Sequence, residues 1–189
     1  MRYGAHYKLA SNENPLGASP LAVEAIRAHL DGLNRYPNGG TDLRRVIADK
    51  HSVKIENVVV GNGSEGIMSH IIRTSLCDNV EVLASAATFA GFKVLARSRG
   101  VAYCTVPQEN WHYDLPALAA SVNCKTKIIY LSNLNNPTGT IFTRQEFEAF
   151  YRRVPQRVLI IVDEAYFEYA KDNNRYPIPC TIGTTTSSR

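Results

Sequence analysis

The amino-acid sequence predicts an α/β fold with a mainly parallel sheet layered between helices. Two observations carry this. Helical spacings of apolar residues alternate with short apolar strands along most of the chain. One strand, Val158-Leu159-Ile160-Ile161-Val162, is a continuous apolar run of the kind expected where a strand is buried on both faces.

The elements follow in order. Pro20 to Leu30 carries Leu21, Ala25, Ala28 and Leu30 at helical spacing, and Thr41-Asp42-Leu43-Arg44 opens a helix running to about His51. Val58-Val59-Val60 reads as a short β-branched strand. Glu65 to Leu76 reads as a helix with Ile67, Ile71 and Ile72 on one side. Val80–Leu83 and Val101–Val106 are strands, with a helix from Ala90 to Arg97 between them. Leu115–Val122 is a short helix and Ile128–Leu131 a strand. Thr143-Arg144-Gln145-Glu146 is a capping box, in which hydroxyl and carboxylate each satisfy an amide at a helix start; that helix ends near Pro155. The tail from Pro177 to Arg189 has neither periodicity and reads as aberrant.

Composition narrows the function classes. Of the 189 residues 44% are hydrophobic and 20% charged, which fits a soluble globular domain rather than a disordered segment. The net charge of +4 is spread along the chain, which favours neither nucleic acid nor a membrane surface. Cys77, Cys104, Cys124 and Cys180 lack metal-type spacing and read as reduced thiols, with a cytoplasmic location as the default.

Ligands of an α/β sheet gather outside the carboxyl ends of its strands, and four segments fall there. Gly61-Asn62-Gly63-Ser64-Glu65-Gly66 offers small residues and free amides at a helix start, suited to phosphate; the alternative is a tight strand-to-helix turn. It also matches G-x-G-x-x-G, but the acid a dinucleotide site needs after the next strand is replaced by Ala84-Ser85-Ala86-Ala87. Phe89, in Thr88-Phe89-Ala90-Gly91-Phe92, is placed to stack on a flat ring, although Phe89 and Phe92 also suit core positions. In Asn133-Leu134-Asn135-Asn136-Pro137-Thr138-Gly139-Thr140 the proline restricts Asn136, whose amide can donate to a phenolate oxygen; a plain turn is the alternative. In Asp163-Glu164-Ala165-Tyr166 the first carboxylate suits a protonated ring nitrogen, and Tyr166 the oxygen of the same ring. A metal or a general base would use Asp163 equally well.

Together with Leu9-Ala10-Ser11-Asn12-Glu13-Asn14-Pro15-Leu16-Gly17 and Asn34-Arg35-Tyr36-Pro37, these segments resemble the fold-type I, class II aminotransferases, and among them the histidinol-phosphate aminotransferase family. The resemblance implies an incomplete three-layer α/β/α large domain that takes pyridoxal 5'-phosphate. Its residues 1–30 would belong to the small domain and substrate entrance, residues 31–176 to the cofactor-binding domain, and residues 177–189 to an aberrant tail. It implies that Ser64 and Glu65 hold the cofactor phosphate with their amides and that Phe89 stacks on the pyridine ring. Asn136 and Tyr166 would bond its phenolic oxygen, and Asp163 its ring nitrogen. Tyr36 would reach the phosphate of a neighbouring subunit, implying a homodimer, and Asn12 and Asn14 would line the substrate entrance. The implied reaction moves an amino group between glutamate and imidazole-acetol phosphate, giving L-histidinol phosphate and 2-oxoglutarate in histidine biosynthesis.

The same resemblance leads one to expect a Schiff-base lysine in a Thr-x-Ser-Lys context beyond Asp163, and the sequence has none. The expectation is therefore of a front half without a catalytic residue of its own, inactive alone, with a tail that a one-base frameshift would explain. Two alternatives stand beside it: a noncatalytic truncated remnant, and a relative resembling threonine-phosphate decarboxylase.

Overall fold

The computed structural model describes residues 11–177. The expectation for the tail therefore lies outside the described residues except at Pro177. Along the sequence the chain divides between Asp42 and Leu43 into two compact units.

The first unit contains α1 (Pro20–His29), which opens with proline where its missing N–H costs nothing. Arg27 and His29 in its last turn complement the negative end of the helix dipole. A single 3-10 turn, Leu30–Gly32, follows. The helix buries none of its residues: Leu21 is 76% and Ile26 63% exposed.

The second unit is built on four parallel strands: β1 (Glu81–Ser85), β2 (Ala102–Val106), β3 (Thr126–Ser132) and β4 (Leu159–Asp163). Their order in the sheet is β2-β1-β3-β4. The helices accompanying them are α2 (Thr41–His51), α3 (Gly63–Ser75), α4 (Ala90–Ser98), α5 (Leu115–Ala120) and α6 (Arg144–Tyr151). From β1 the chain moves outward to β2; from β2 it returns past β1 to β3 and continues to β4. Crossovers between parallel strands are right-handed, so reversing the direction of travel moves the helices to the other face. Accordingly α3 and α4 cover one face, through Met68, Ile72, Phe92 and Ala96 packed on Val82, Ala84, Ile128 and Tyr130. The other face carries α5 and α6, through Leu115, Leu118, Phe147 and Phe150 packed on Leu83, Ile129 and Leu131. The predicted three layers are present. Full burial of a side chain such as Phe92 or Leu118 contributes about 1.5–3 kcal/mol.

The amino end of the sheet is closed by a buried carboxylate. Glu81 Oε1 accepts from Asn123 Nδ2 at 2.7 Å and Thr126 Oγ1 at 2.8 Å, and Oε2 from Cys104 Sγ at 3.4 Å. Burial and this carboxylate together push the Cys104 thiol above its ordinary range. Cys77, Cys104 and Cys124 are free thiols. The capping box forms as predicted: Thr143 Oγ1 accepts the Glu146 amide while Glu146 Oε2 accepts the Thr143 amide. Among the described residues no helix is long and apolar enough to cross a membrane.

Two expectations are corrected. Residues 58–60 are not a strand. Arg44 takes the backbone carbonyl of Val58 through Nε at 2.8 Å and that of Ile55 through Nη2 at 2.9 Å. Thus the Val58 carbonyl is bonded to a side chain rather than to a sheet partner. β4 is apolar, as expected, but its residues are half-buried rather than enclosed on both faces. It is one of the two edge strands among the described residues, with a single sheet neighbour.

Candidate cofactor site

The sheet order fixes where a ligand can sit. β1 and β3 are neighbours whose following helices lie on opposite faces, and in sheets of this kind ligands bind outside the carboxyl ends at such a reversal point. The loops that follow β1, β3 and β4 carry Phe89, Asn136 and Tyr166, and Asp163 ends β4 itself. Ser64 and Glu65 lie in the first turn of α3, on the face shared with α4.

The start of α3 is open. Asn62 occupies its N-cap without making a side-chain cap, whereas α5 and α6 are capped by Asp114 and Thr143. The first-turn amides of α3 are therefore oriented outward with the positive end of the helix dipole behind them. Gly63 adopts φ +71°, and a Cβ there would meet nothing within 4 Å, so the approach is clear. Ser64 and Glu65 are both exposed. The Gly61–Gly66 match to a dinucleotide fingerprint lacks the strand that such a turn must follow, which removes that reading.

Phe89 is the N-cap residue of α4, and its ring folds over Gly91. A Cβ at Gly91 would fall 2.4 Å from Phe89 Cε1 and 3.2 Å from Glu65 Oε1, so only glycine leaves room for this arrangement. The same measurement brings Glu65 and Phe89 to one spot. Phe92, in contrast, is fully buried and belongs to the core.

Asp163 is the last residue of β4, in register with Ser132. Its Oδ2 accepts the Tyr130 hydroxyl at 2.7 Å and its Oδ1 the Ala165 amide at 3.2 Å. Each oxygen keeps a lone pair for a further donor. Glu164 turns the other way, against Tyr176, which also donates to the Asn133 carbonyl. Burial raises the Glu164 carboxyl above its ordinary range, outweighing the opposite effect of the Tyr176 hydrogen bond. Tyr166 is half-buried, one residue ahead of the 3-10 turn Phe167–Tyr169. Asn136 is half-buried in the loop after β3, its bond to Pro137 cis.

A second tyrosine ties the loops together. Tyr113 donates to Asn135 Oδ1 at 3.0 Å and accepts the Ser132 amide at 2.9 Å, and its oxygen lies 2.7 Å from Thr88 Oγ1. Asn135 is buried and donates to the Ala87 carbonyl at 2.9 Å and to Thr138 Oγ1 at 2.7 Å. The neighbours of Phe89 and Asn136 are thereby fixed to each other. Burial pushes the Tyr113 phenol above its ordinary range, so it remains a donor.

Asn12, Asn14 and Tyr36 belong to the first unit. All three are exposed, and Asn14 Oδ1 accepts the Leu16 amide at 3.0 Å. Sequence reasoning missed Tyr130, Tyr113 and Asn135. Tyr130 was legible in principle: a phenol inside an apolar strand must find a partner, and a carboxylate at the end of a later strand is one. Among the described residues no group of three or more His, Cys, Asp or Glu side chains is placed to hold a metal.

These features define a parallel α/β domain with an open helix start and a strand-end carboxylate at the carboxyl end of its sheet. More specifically, residues 6–183 match the family described as aminotransferase class I and II, and the chain belongs to that family. It is 42% identical over 168 residues to histidinol-phosphate aminotransferase 2 of Pseudomonas fluorescens, covering 88% of this chain and 45% of that protein. Among solved structures it resembles histidinol-phosphate aminotransferase from Sinorhizobium meliloti in complex with pyridoxal-5'-phosphate. There the TM-score is 0.83 and the identity 27%, over 89% of this chain and 46% of the other. L-threonine-O-3-phosphate decarboxylase from Porphyromonas gingivalis shares the fold, with a TM-score of 0.62 and 20% identity over 76% of this chain and 42% of the other. The chain thus spans about half the length of the relatives it matches.

Proposed function

We propose that this chain is the cofactor-binding part of a histidinol-phosphate aminotransferase and that its site takes pyridoxal 5'-phosphate. The observation that carries the reading is Asp163. It is a strand-end carboxylate, held by one donor on each oxygen, on the sheet face that also carries the uncapped start of α3. A ligand that combines a phosphate with a cationic heteroaromatic nitrogen matches both features.

The residues fit that group. Ser64 and the first-turn amides of α3 would receive the phosphate, with Glu65 supplying its amide. The Phe89 ring would lie against the pyridine, Asn136 and Tyr166 would donate to the phenolic oxygen, and Asp163 would hold the protonated ring nitrogen. When bound, pyridoxal phosphate supplies an electron sink for the carbanion left when an amino-acid substrate loses its α-proton. The protein's share is to keep a proton on the ring nitrogen through Asp163 and to hold the ring plane in place through Phe89.

The complete protein would move the amino group between glutamate and imidazole-acetol phosphate, in the cytoplasm, as part of histidine biosynthesis. The similarity to histidinol-phosphate aminotransferases at 42% identity supports that substrate pair. The decarboxylase alternative has fold similarity alone. Tyr36 and Asn12 with Asn14 are proposed as the contact to a neighbouring subunit's cofactor phosphate and the substrate entrance of a homodimer.

The test is an absorbance titration of the purified chain with pyridoxal phosphate, beside the Asp163→Asn variant. Saturable binding at one site, weakened at least tenfold in the variant, supports the proposal. Binding that never saturates, or that is indifferent to Asp163→Asn, overturns it.

A further inference from the structure

Tyr130 couples the apolar core directly to Asp163. Its side chain is fully buried in β3. The ring lies flat on Phe92, with centroids 4.4 Å apart and planes inclined by 9°. Val82, Ala84 and Ile128 belong to the same cluster, so the ring has little freedom to turn. The hydroxyl emerges at the carboxyl end of the sheet and ends on Asp163 Oδ2. β4 is an edge strand and half-buried, so its own packing restrains the Asp163 side chain weakly. Of the two donors on that carboxylate, the Ala165 amide is longer, at 3.2 Å, and belongs to the next turn of the same segment. The Tyr130 hydroxyl is the donor anchored in another strand.

We propose that Tyr130 is a positioning residue for Asp163, its hydroxyl holding the carboxylate in the one orientation that receives a protonated ring nitrogen. The inference rests on the pyridoxal-phosphate reading of this site. Two physical effects combine. A short hydrogen bond from a rigid donor fixes the plane of the carboxylate. By drawing on the carboxylate's charge it also leaves the shared proton on the ring nitrogen rather than on Asp163. The phenol stays protonated throughout. Burial raises it first and the adjacent Asp163 carboxylate second, and Tyr113 and Tyr103 act in the same direction from the loop before α5 and from β2. Phe92, from α4, brings no charge.

The experiment is nitrogen-15 NMR of pyridoxal phosphate labelled at the ring nitrogen and bound to the chain. The Tyr130→Phe variant keeps the ring on Phe92 and removes only the hydroxyl. It is expected to bind the cofactor through the phosphate contacts with affinity lowered about tenfold, the scale of one hydrogen bond to a charged group. Its ring-nitrogen signal should move toward the unprotonated position, and the pH midpoint of that signal should fall. A Phe92→Leu variant, which disturbs packing and spares the hydroxyl, should lower the melting temperature while moving the signal less than Tyr130→Phe does. If Tyr130→Phe matches the wild type in signal and midpoint, or if Phe92→Leu shifts them equally, the positioning role is wrong. A measurement on the wild type alone needs no variant to fold. The Tyr130 hydroxyl proton should be a slowly exchanging downfield resonance that shifts when pyridoxal phosphate is added, and a resonance that stays put refutes the proposal. Failure of the unmodified chain to bind the cofactor at all overturns the underlying reading, and the inference with it.

Discussion

Tyr113→Phe removes one oxygen and disconnects three loops. That oxygen accepts the Ser132 amide, donates to Asn135 and meets Thr88, so the variant leaves a backbone N–H at the end of β3 without its acceptor. An unsatisfied buried N–H costs about 1–3 kcal/mol, and the lost bond to Asn135 adds about 0.5–1.5 kcal/mol. The edge-on packing of the ring against Phe142, at 5.8 Å, survives because phenylalanine keeps the ring. The expected loss is therefore about 3 kcal/mol, a large share of the roughly 5–15 kcal/mol that stabilises a typical domain. Urea unfolding followed by far-UV circular dichroism measures it as a lower midpoint at unchanged slope. Because Thr88 and Asn135 are the neighbours of Phe89 and Asn136, pyridoxal-phosphate affinity should fall as well. A loss under about 0.5 kcal/mol would mean that water takes the place of the oxygen. The reasoning that the phenol fixes these loops would then be refuted.

Three further perturbations bear on separate parts of the molecule. Gly91→Ala places a Cβ 2.4 and 2.6 Å from two atoms of the Phe89 ring, so the ring must leave its seat. Overpacking of this kind costs about 1–3 kcal/mol, and a variant with wild-type stability and wild-type cofactor affinity would show that the ring is not seated there. Glu81→Gln leaves one oxygen among three donors and turns an NH2 toward them, for an expected loss of about 1–3 kcal/mol at neutral pH with cofactor affinity unchanged. Thr143→Ala removes the cap of α6 and is expected to cost about 1 kcal/mol. The Thr143 backbone amide first, and its hydroxyl second, hold the Glu146 carboxyl below the ordinary glutamate range. A depressed folded-state value means the carboxylate's contribution is full above the unfolded-state pKa of about 4.3 and is lost as pH falls through the folded one. The gap between wild type and Thr143→Ala should therefore narrow in acid, and a gap that is constant from neutral pH into that range would contradict the capping-box account.

Local signals and lateral ones were unequally legible in the sequence. The capping box at Thr143 and Glu146 was readable because all its atoms lie within one helical turn. So were β3 and α5, whose spacings express their own burial. Val158–Val162 announced an apolar strand but not its position at the sheet edge, since the number of neighbours a strand has is decided by segments distant in sequence. Val58–Val60 failed for a related reason: three β-branched residues favour extended backbone, yet a strand exists only where a ladder partner does, and the Val58 carbonyl is bonded to Arg44. At the candidate site the chemistry-bearing residues of the loops were legible by type. The tyrosines that hold them were hidden, Tyr130 among the apolar letters of Ile128–Leu131 and Tyr113 in a loop with no motif.

The order β2-β1-β3-β4 also sets a sequence of events at the ribosome. A nascent chain emerges amino end first and its domains fold as the residues they need become available. The open start of α3 and the Phe89 seat are complete once β1 and α4 have been made, and Tyr130 arrives with β3. Asp163 follows on β4, a strand that joins at one edge of the sheet, with Tyr166 three residues behind it. Until β4 docks, water is the acceptor for the phenol of Tyr130, and the arrival of the carboxylate replaces it and brings Asp163 to the site in a single step.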